Sequence, residues 1–173
     1  MNNKITPIYT TKKLQKTIGN FISDQKGYPE GRFGHWNANL FFVNRKKCWL
    51  MVNSTTRYTL VLPNVQKKDL TNISGFFKQK LLIQLKNDKI DSGILDLDKV
   101  VGEIKLCPSN NDRSTMGTLN NHKLYFDDWI FQYQDFDSMP FTDLSGRLNS
   151  LPNKMLNWKY PKEVMGELIK AYA

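Results

Sequence analysis

The side chains best suited to chemistry in this sequence are cations and short polar groups. Lys12 and Lys13, then Arg45, Lys46 and Lys47, then Arg57 form three basic groups in the first part of the chain. Each can neutralise a phosphate, and counterions released from a nucleic-acid backbone then drive binding without any reading of bases. Further on, Arg113, Ser114, Thr118 and Asn120 fall in one short polar segment, Asn111–Asn120. Arg113 offers a planar fork of donors, the hydroxyls add neutral ones, and Gly117 lets backbone N–H groups approach a ligand. The expectation is a loop that holds a phosphate or carboxylate. A second reading has Asn111, Asp112 and Ser114 capping a helix that begins near Thr115, with Arg113 paired to an acid of the 127–137 stretch.

Other catalytic chemistry lacks its residues. The two histidines, His35 and His122, have no ligand spacing around them, so no metal site is expected. His35, at the entry to a strand beside Trp36, is expected to bond backbone through one ring nitrogen. Cys48 follows three cations that favour a thiolate, but strand alternation places it in a core, and Cys107 stands far from it in sequence, with no C-x-x-C pair. No phosphate-cradling glycine loop, nucleophile elbow or H-E-x-x-H occurs, so no cofactor is expected. The chain reads as a non-enzyme; the enzymatic extension open to it is a ribonuclease-like activity built from Lys, Arg and Tyr without histidine.

These residues need a scaffold, and the periodicities suggest one. Ile5–Tyr9 reads as a short strand, and Thr10 or Thr11 caps a helix with Leu14, Ile18, Phe21 and Ile22 on one side. Trp36–Val43, a turn at Asn44–Lys47, Cys48–Val52, a turn at Asn53–Thr56 and Arg57–Leu62 form a three-stranded meander. Asp69 opens a helix with Ile73, Phe76, Phe77, Leu81 and Leu85 at helical spacing. Val100–Leu106 reads as a strand; Leu124–Tyr133 suits a helix by length and a strand by its aromatics; Pro161 starts a final helix through Tyr172. The fold class expected is α+β: a small antiparallel β-meander sheet with helices packed against it, in one domain spanning 1–173.

Composition narrows the classes of function. The chain has 173 residues, 40% hydrophobic and 24% charged, which is ordinary for a globular protein with a core of its own. Its net charge of +9 is unevenly spread: residues 1–90 hold 16 Lys and Arg against 4 Asp and Glu, while residues 91–173 hold 9 against 12. The acidic stretch with Asp127, Asp128, Asp135 and Asp137 can lie against the basic half or leave it free for a polyanion. No apolar run is long enough for a signal peptide or a membrane span, so a cytoplasmic location without membrane attachment is expected.

Several runs carry a resemblance. His35-Trp36-Asn37-Ala38-Asn39-Leu40, Asn44-Arg45-Lys46-Lys47-Cys48, Val52-Asn53 and Thr56-Arg57-Tyr58 resemble an uncharacterised bacterial family, domain of unknown function 6933. Thr11-Lys12-Lys13-Leu14, Arg113-Ser114-x-x-Gly117-Thr118-x-Asn120, Leu148-Asn149-x-x-Pro152 and Tyr160-Pro161 agree with it. The resemblance spans nearly the whole chain and implies one continuous domain, with no activity attached. It departs at Asn121, where the family usually has an acid, and at Asn87–Asp98, which is longer than usual.

Two functions remain at this stage. One is a nucleic-acid (RNA or DNA) binding module in which Lys12, Lys13, Arg45, Lys46, Lys47 and Arg57 meet phosphates while Trp36 or Tyr58 stacks on bases. The alternative is a protein-interaction or regulatory module without a nucleic-acid ligand, docking a protein partner near Trp129, Phe131 and Trp158.

Overall fold

The structure is a computed structural model that describes residues 3–93 and 95–172. Its strands are β1 (Ile5–Thr10), β2 (Trp36–Val43), β3 (Lys46–Asn53), β4 (Thr59–Leu62) and β5 (Glu103–Cys107). The helices are α1 (Lys12–Ile18), α2 (Lys67–Thr71), α3 (Ile73–Asn87), α4 (Leu97–Val100), α5 (Arg113–Ile130), α6 (Phe141–Asn149) and α7 (Pro161–Lys170).

The sheet order is β4-β3-β2-β1-β5. β2, β3 and β4 are antiparallel neighbours, the meander that the turn residues announce. β1, however, runs parallel to both β2 and β5. The sheet is therefore mixed, which corrects the purely antiparallel expectation. The cause is connection length: β1 reaches β2 only after α1 and a long loop, and β4 reaches β5 only after three helices, and crossovers of that kind join parallel strands.

Alternation along the strands sends side chains to two faces, and helices cover both. Trp36, Leu40, Trp49, Met51 and Leu60 meet Leu14 of α1, Phe77 and Leu81 of α3 and Met165 of α7. Phe41, Cys48, Leu50, Val52 and Val61 meet Leu119 and Phe126 of α5 and Leu144 and Leu148 of α6. Phe41 and Phe126 rings lie 5.4 Å apart across that interface, and burying a phenylalanine there contributes about 2–3 kcal/mol. Two-sided burial explains why β4 is buried at every position.

Local chemistry sets the element ends. Thr11 caps α1 by accepting from the Leu14 N–H at 3.3 Å. The β2–β3 connection is only Asn44 and Arg45, both at positive φ (48° and 65°), as a two-residue hairpin requires. Lys46 and Lys47, expected in the turn, are thus the first residues of β3 and point to opposite faces. Asp112 caps α5, accepting from the Thr115 N–H at 2.9 Å. The segment Arg113–Asn120, expected as a loop, forms the first two turns of that helix, in line with the capping alternative, and Leu124–Ile130 continues it. No described helix is long and apolar enough to cross a membrane.

Candidate functional site

The basic and polar residues singled out in the sequence separate to the two ends of β3, about 23 Å apart at the usual rise of a strand. The hairpin end gathers Lys13, Arg45, Lys46 and Lys47. Phe42, directly opposite Lys47 in the sheet, is 43% exposed, and Lys13 Nζ lies 5.5 Å from its ring centroid. Lys47 and Lys67 line a small depression of about 220 Å³ beneath α1, floored by Trp49 and Val65. On the other face Lys46 Nζ stands 4.3 Å from the Phe136 ring. Lys12 is exposed on the first turn of α1. Among the described residues, none of the ion pairs involves Lys12, Lys13, Arg45, Lys46, Lys47 or Lys67.

The opposite end uses its charges internally. Arg57 is only 7% exposed; its Nη1 donates to Thr115 Oγ1 at 2.5 Å and its Nη2 to Ser114 Oγ at 2.8 Å. Burial draws the guanidinium below its ordinary pKa, countered in part by the Asp112 charge. Asp112 Oδ2 accepts from Thr115 Oγ1 at 2.6 Å and from His35 Nε2 at 2.9 Å, and His35 Nδ1 faces Glu30 Oε1. Burial pushes the Asp112 carboxyl up, but the bonds from Thr115 and His35 outweigh it and hold the group below the usual carboxylate range. His35 thus bonds two carboxylates, which corrects the expected bond to backbone. The chain Glu30–His35–Asp112–Thr115–Arg57 ties the loop before β2, the cap of α5 and the turn before β4 together. It lies beside the carboxyl ends of β1 and β5, whose following helices leave toward opposite faces of the sheet.

Arg113 and Thr118, together with Ser114, whose Oγ also accepts from Arg57, line a groove of about 630 Å³ between α5 and residues 151–155. Asn121, His122 and Tyr125 extend the α5 wall; Leu151, Pro152, Asn153, Lys154 and Met155 form the other. Asn120 is exposed on α5 outside the groove. His122 is 5% exposed, and burial lowers its pKa to about 4, so the ring is neutral at pH 7. Its Nδ1 lies 2.7 Å from Thr59 Oγ1, and among the described residues nothing bonds its Nε2. Arg113 enters no ion pair among the described residues, with the 127–137 acids or any other.

Residues 7–164 match a family model described as a domain of unknown function, DUF6933. The chain belongs to the DUF6933 family. No curated protein matches it, and no solved structure does. The DUF6933 match takes in both the hairpin end and the groove.

Several expectations for this DUF6933 chain change once burial is known. Trp36 and Tyr58, expected to stack on bases, are both 0% exposed; Trp36 packs on Phe77 and Tyr58 donates to Asp88 Oδ2 at 2.5 Å. The exposed aromatic beside the lysines is Phe42, hidden in the sequence by the apolar run Leu40–Val43. Burial pushes the Cys48 and Cys107 thiols up to about 11, against a reactive thiolate. Phe131 and Trp158 are 89% and 65% exposed, while Trp129 is partly buried against Phe126. His122 and Tyr125 were legible as a continuation of the Ser114–Thr118 stripe at helical spacing; nothing local marks residues 151–155 as their partners.

Proposed function

We propose that the hairpin end binds single-stranded nucleic acid. The observation that carries this reading is the exposed Phe42 with Lys13 and Lys47 beside it, and Lys67 sharing with Lys47 the adjoining depression, with no carboxylate paired to any of the three lysines among the described residues. Exposed cations that hold no partner in the fold keep their full attraction for phosphate, and an exposed ring gives a base a flat surface to stack on. Arg45 at the tip and Lys46 on the other face extend the positive surface around the turn. Lys12 adds a further cation on α1. Arg57, bonded on both terminal nitrogens, is outside this surface. The role is binding; no reaction is assigned to the hairpin.

Fluorescence anisotropy with labelled single-stranded RNA and DNA tests it. The expected result is binding whose affinity falls with salt. Changing Arg45, Lys46 and Lys47 together to Gln weakens it and reduces the salt slope by about 0.7 for each phosphate that is no longer neutralised. Phe42→Ala lowers affinity while leaving the salt slope unchanged, since stacking releases no counterions. Absence of salt-sensitive binding to any single strand at low ionic strength overturns the proposal.

A further inference from the structure

The groove along α5 is independent of the hairpin and differs from it in being concave, walled on both sides and floored by a buried imidazole. Three features define what it can hold. Arg113 and Lys154 are both exposed at its walls and neither is ion-paired among the described residues, and no Asp or Glu lines it. That excludes a cationic ligand and suits a phosphate monoester, whose two charges two cations can share. The stretch from Arg113 to Tyr125 runs about 18 Å along the helix, several times the size of an inorganic anion. Between the two, Ser114, Thr118 and Asn121 present hydroxyls and an amide. At the far end Tyr125, Met155 and Leu151, 41%, 60% and 40% exposed, supply apolar and aromatic walls.

The floor adds a neutral polar group whose orientation the fold fixes. His122 is only 5% exposed, lines the groove, and has its Nδ1 committed to Thr59 Oγ1. Its Nε2 has no partner among the described residues. The buried polar atoms without a partner among the described residues are Trp36 Nε1, Asn37 Oδ1 and Ser145 Oγ, so His122 Nε2 is not sealed in; it opens to the groove, where a polar ligand atom can meet it. The cap of α5 does not serve, because Asp112 already occupies it.

We infer that this groove binds a phosphorylated heterocycle of nucleotide type: the phosphate on Arg113 and Lys154, the sugar hydroxyls on Ser114, Thr118 and Asn121, the ring against Tyr125 and Met155, and a polar ligand atom on His122 Nε2. The chemistry is shared by a free mononucleotide and by the terminal nucleotide of a strand. The inference does not rest on the hairpin reading.

Calorimetric titration of the full chain with adenosine monophosphate, inorganic phosphate and adenosine tests it, together with the His122 ring signals in NMR spectra. Saturable binding of adenosine monophosphate is expected, about tenfold or more tighter than either half alone, with the His122 signals moving on binding. Arg113→Ala lowers that affinity about tenfold or more, and Arg113→Lys falls between because it keeps the charge and loses the fork. Tyr125→Ala weakens adenosine monophosphate and adenosine but not phosphate. Neutralising Lys13 and Lys47 leaves all three unchanged, so this site and the hairpin fail or stand separately. A strand bearing a terminal phosphate competes with the nucleotide if strand ends are the source and does not compete if the free nucleotide is; both results support the site. No saturable heat at millimolar ligand, or binding that Arg113→Ala leaves intact, or phosphate alone binding as tightly as the nucleotide, overturns it.

Discussion

At one end of β3, Lys46 and Lys47 form no ion pair among the described residues: Lys47 is exposed opposite Phe42, and the partly exposed Lys46 stands on the Phe136 ring with the Asp135 charge nearby. Beyond the other end, Arg57 is enclosed, with both terminal nitrogens on hydroxyls of α5 and Asp112 nearby. The residue types are similar, and the sequence distance is short. What differs is what each strand end meets: the hairpin end meets a lysine of α1 and aromatic rings, while the β3–β4 turn donates through Arg57 to hydroxyls in the first turn of α5. A net charge of +9 therefore says little by itself about binding, since the fold decides which cations are spent on holding the chain together.

Removing a charge from each end makes the contrast measurable. Arg57→Ala leaves two hydroxyls without their donor and Asp112 without its nearby cation, and is expected to cost about 3 kcal/mol in urea denaturation at neutral pH. Replacing Arg45, Lys46 and Lys47 by Gln is expected to change stability by less than about 0.5 kcal/mol, as for other surface substitutions. Equal losses at the two ends would remove the distinction.

A smaller effect comes from pH. His122 has its folded pKa lowered from 6.5 to about 4 by burial. The unfolded chain takes up a proton there first, so its contribution to stability is full above the unfolded value and is lost as pH falls from about 6.5 toward 4. Wild type is expected to be about 1 kcal/mol less stable near pH 5.5 than near pH 8, and His122→Asn to show a flatter profile over that window. Identical profiles for the two would mean that His122 is solvated rather than buried in the groove. Asp112 acts lower down: its depressed pKa adds stability that persists above its unfolded value and is lost as pH falls further.

Elements with local punctuation were legible in the sequence. Thr11 marks the start of α1, Asn44 and Arg45 the hairpin and Pro161 the first turn of α7, and each acts within a few residues of itself. The parallel pairing of β1 with β2 and β5 was not legible, because register between strands separated by helices leaves no mark in either strand. The same limit applied to the sites. Residue type told that Arg57 can bind phosphate and that Trp36 and Tyr58 can stack, but their burial depends on Thr115, Phe77 and Asp88, all distant in sequence. Arg113, Ser114 and Thr118 stand out as a group in the sequence because they fall in one short polar segment, although that segment reads there as a loop and is helical in the fold, whereas their partners across the groove come from the turn after α6.

The most direct measurement of the central claim is an NMR titration of the isotope-labelled protein with a short single strand at low salt. Signals of residues 12–17, 42–47 and 66–68 are expected to shift together and to return toward their free positions as salt is raised, while those of Arg57, His35 and Thr115 stay in place. Shifts centred on Arg57 and its neighbours with the hairpin silent, or no shifts at all, would contradict the account.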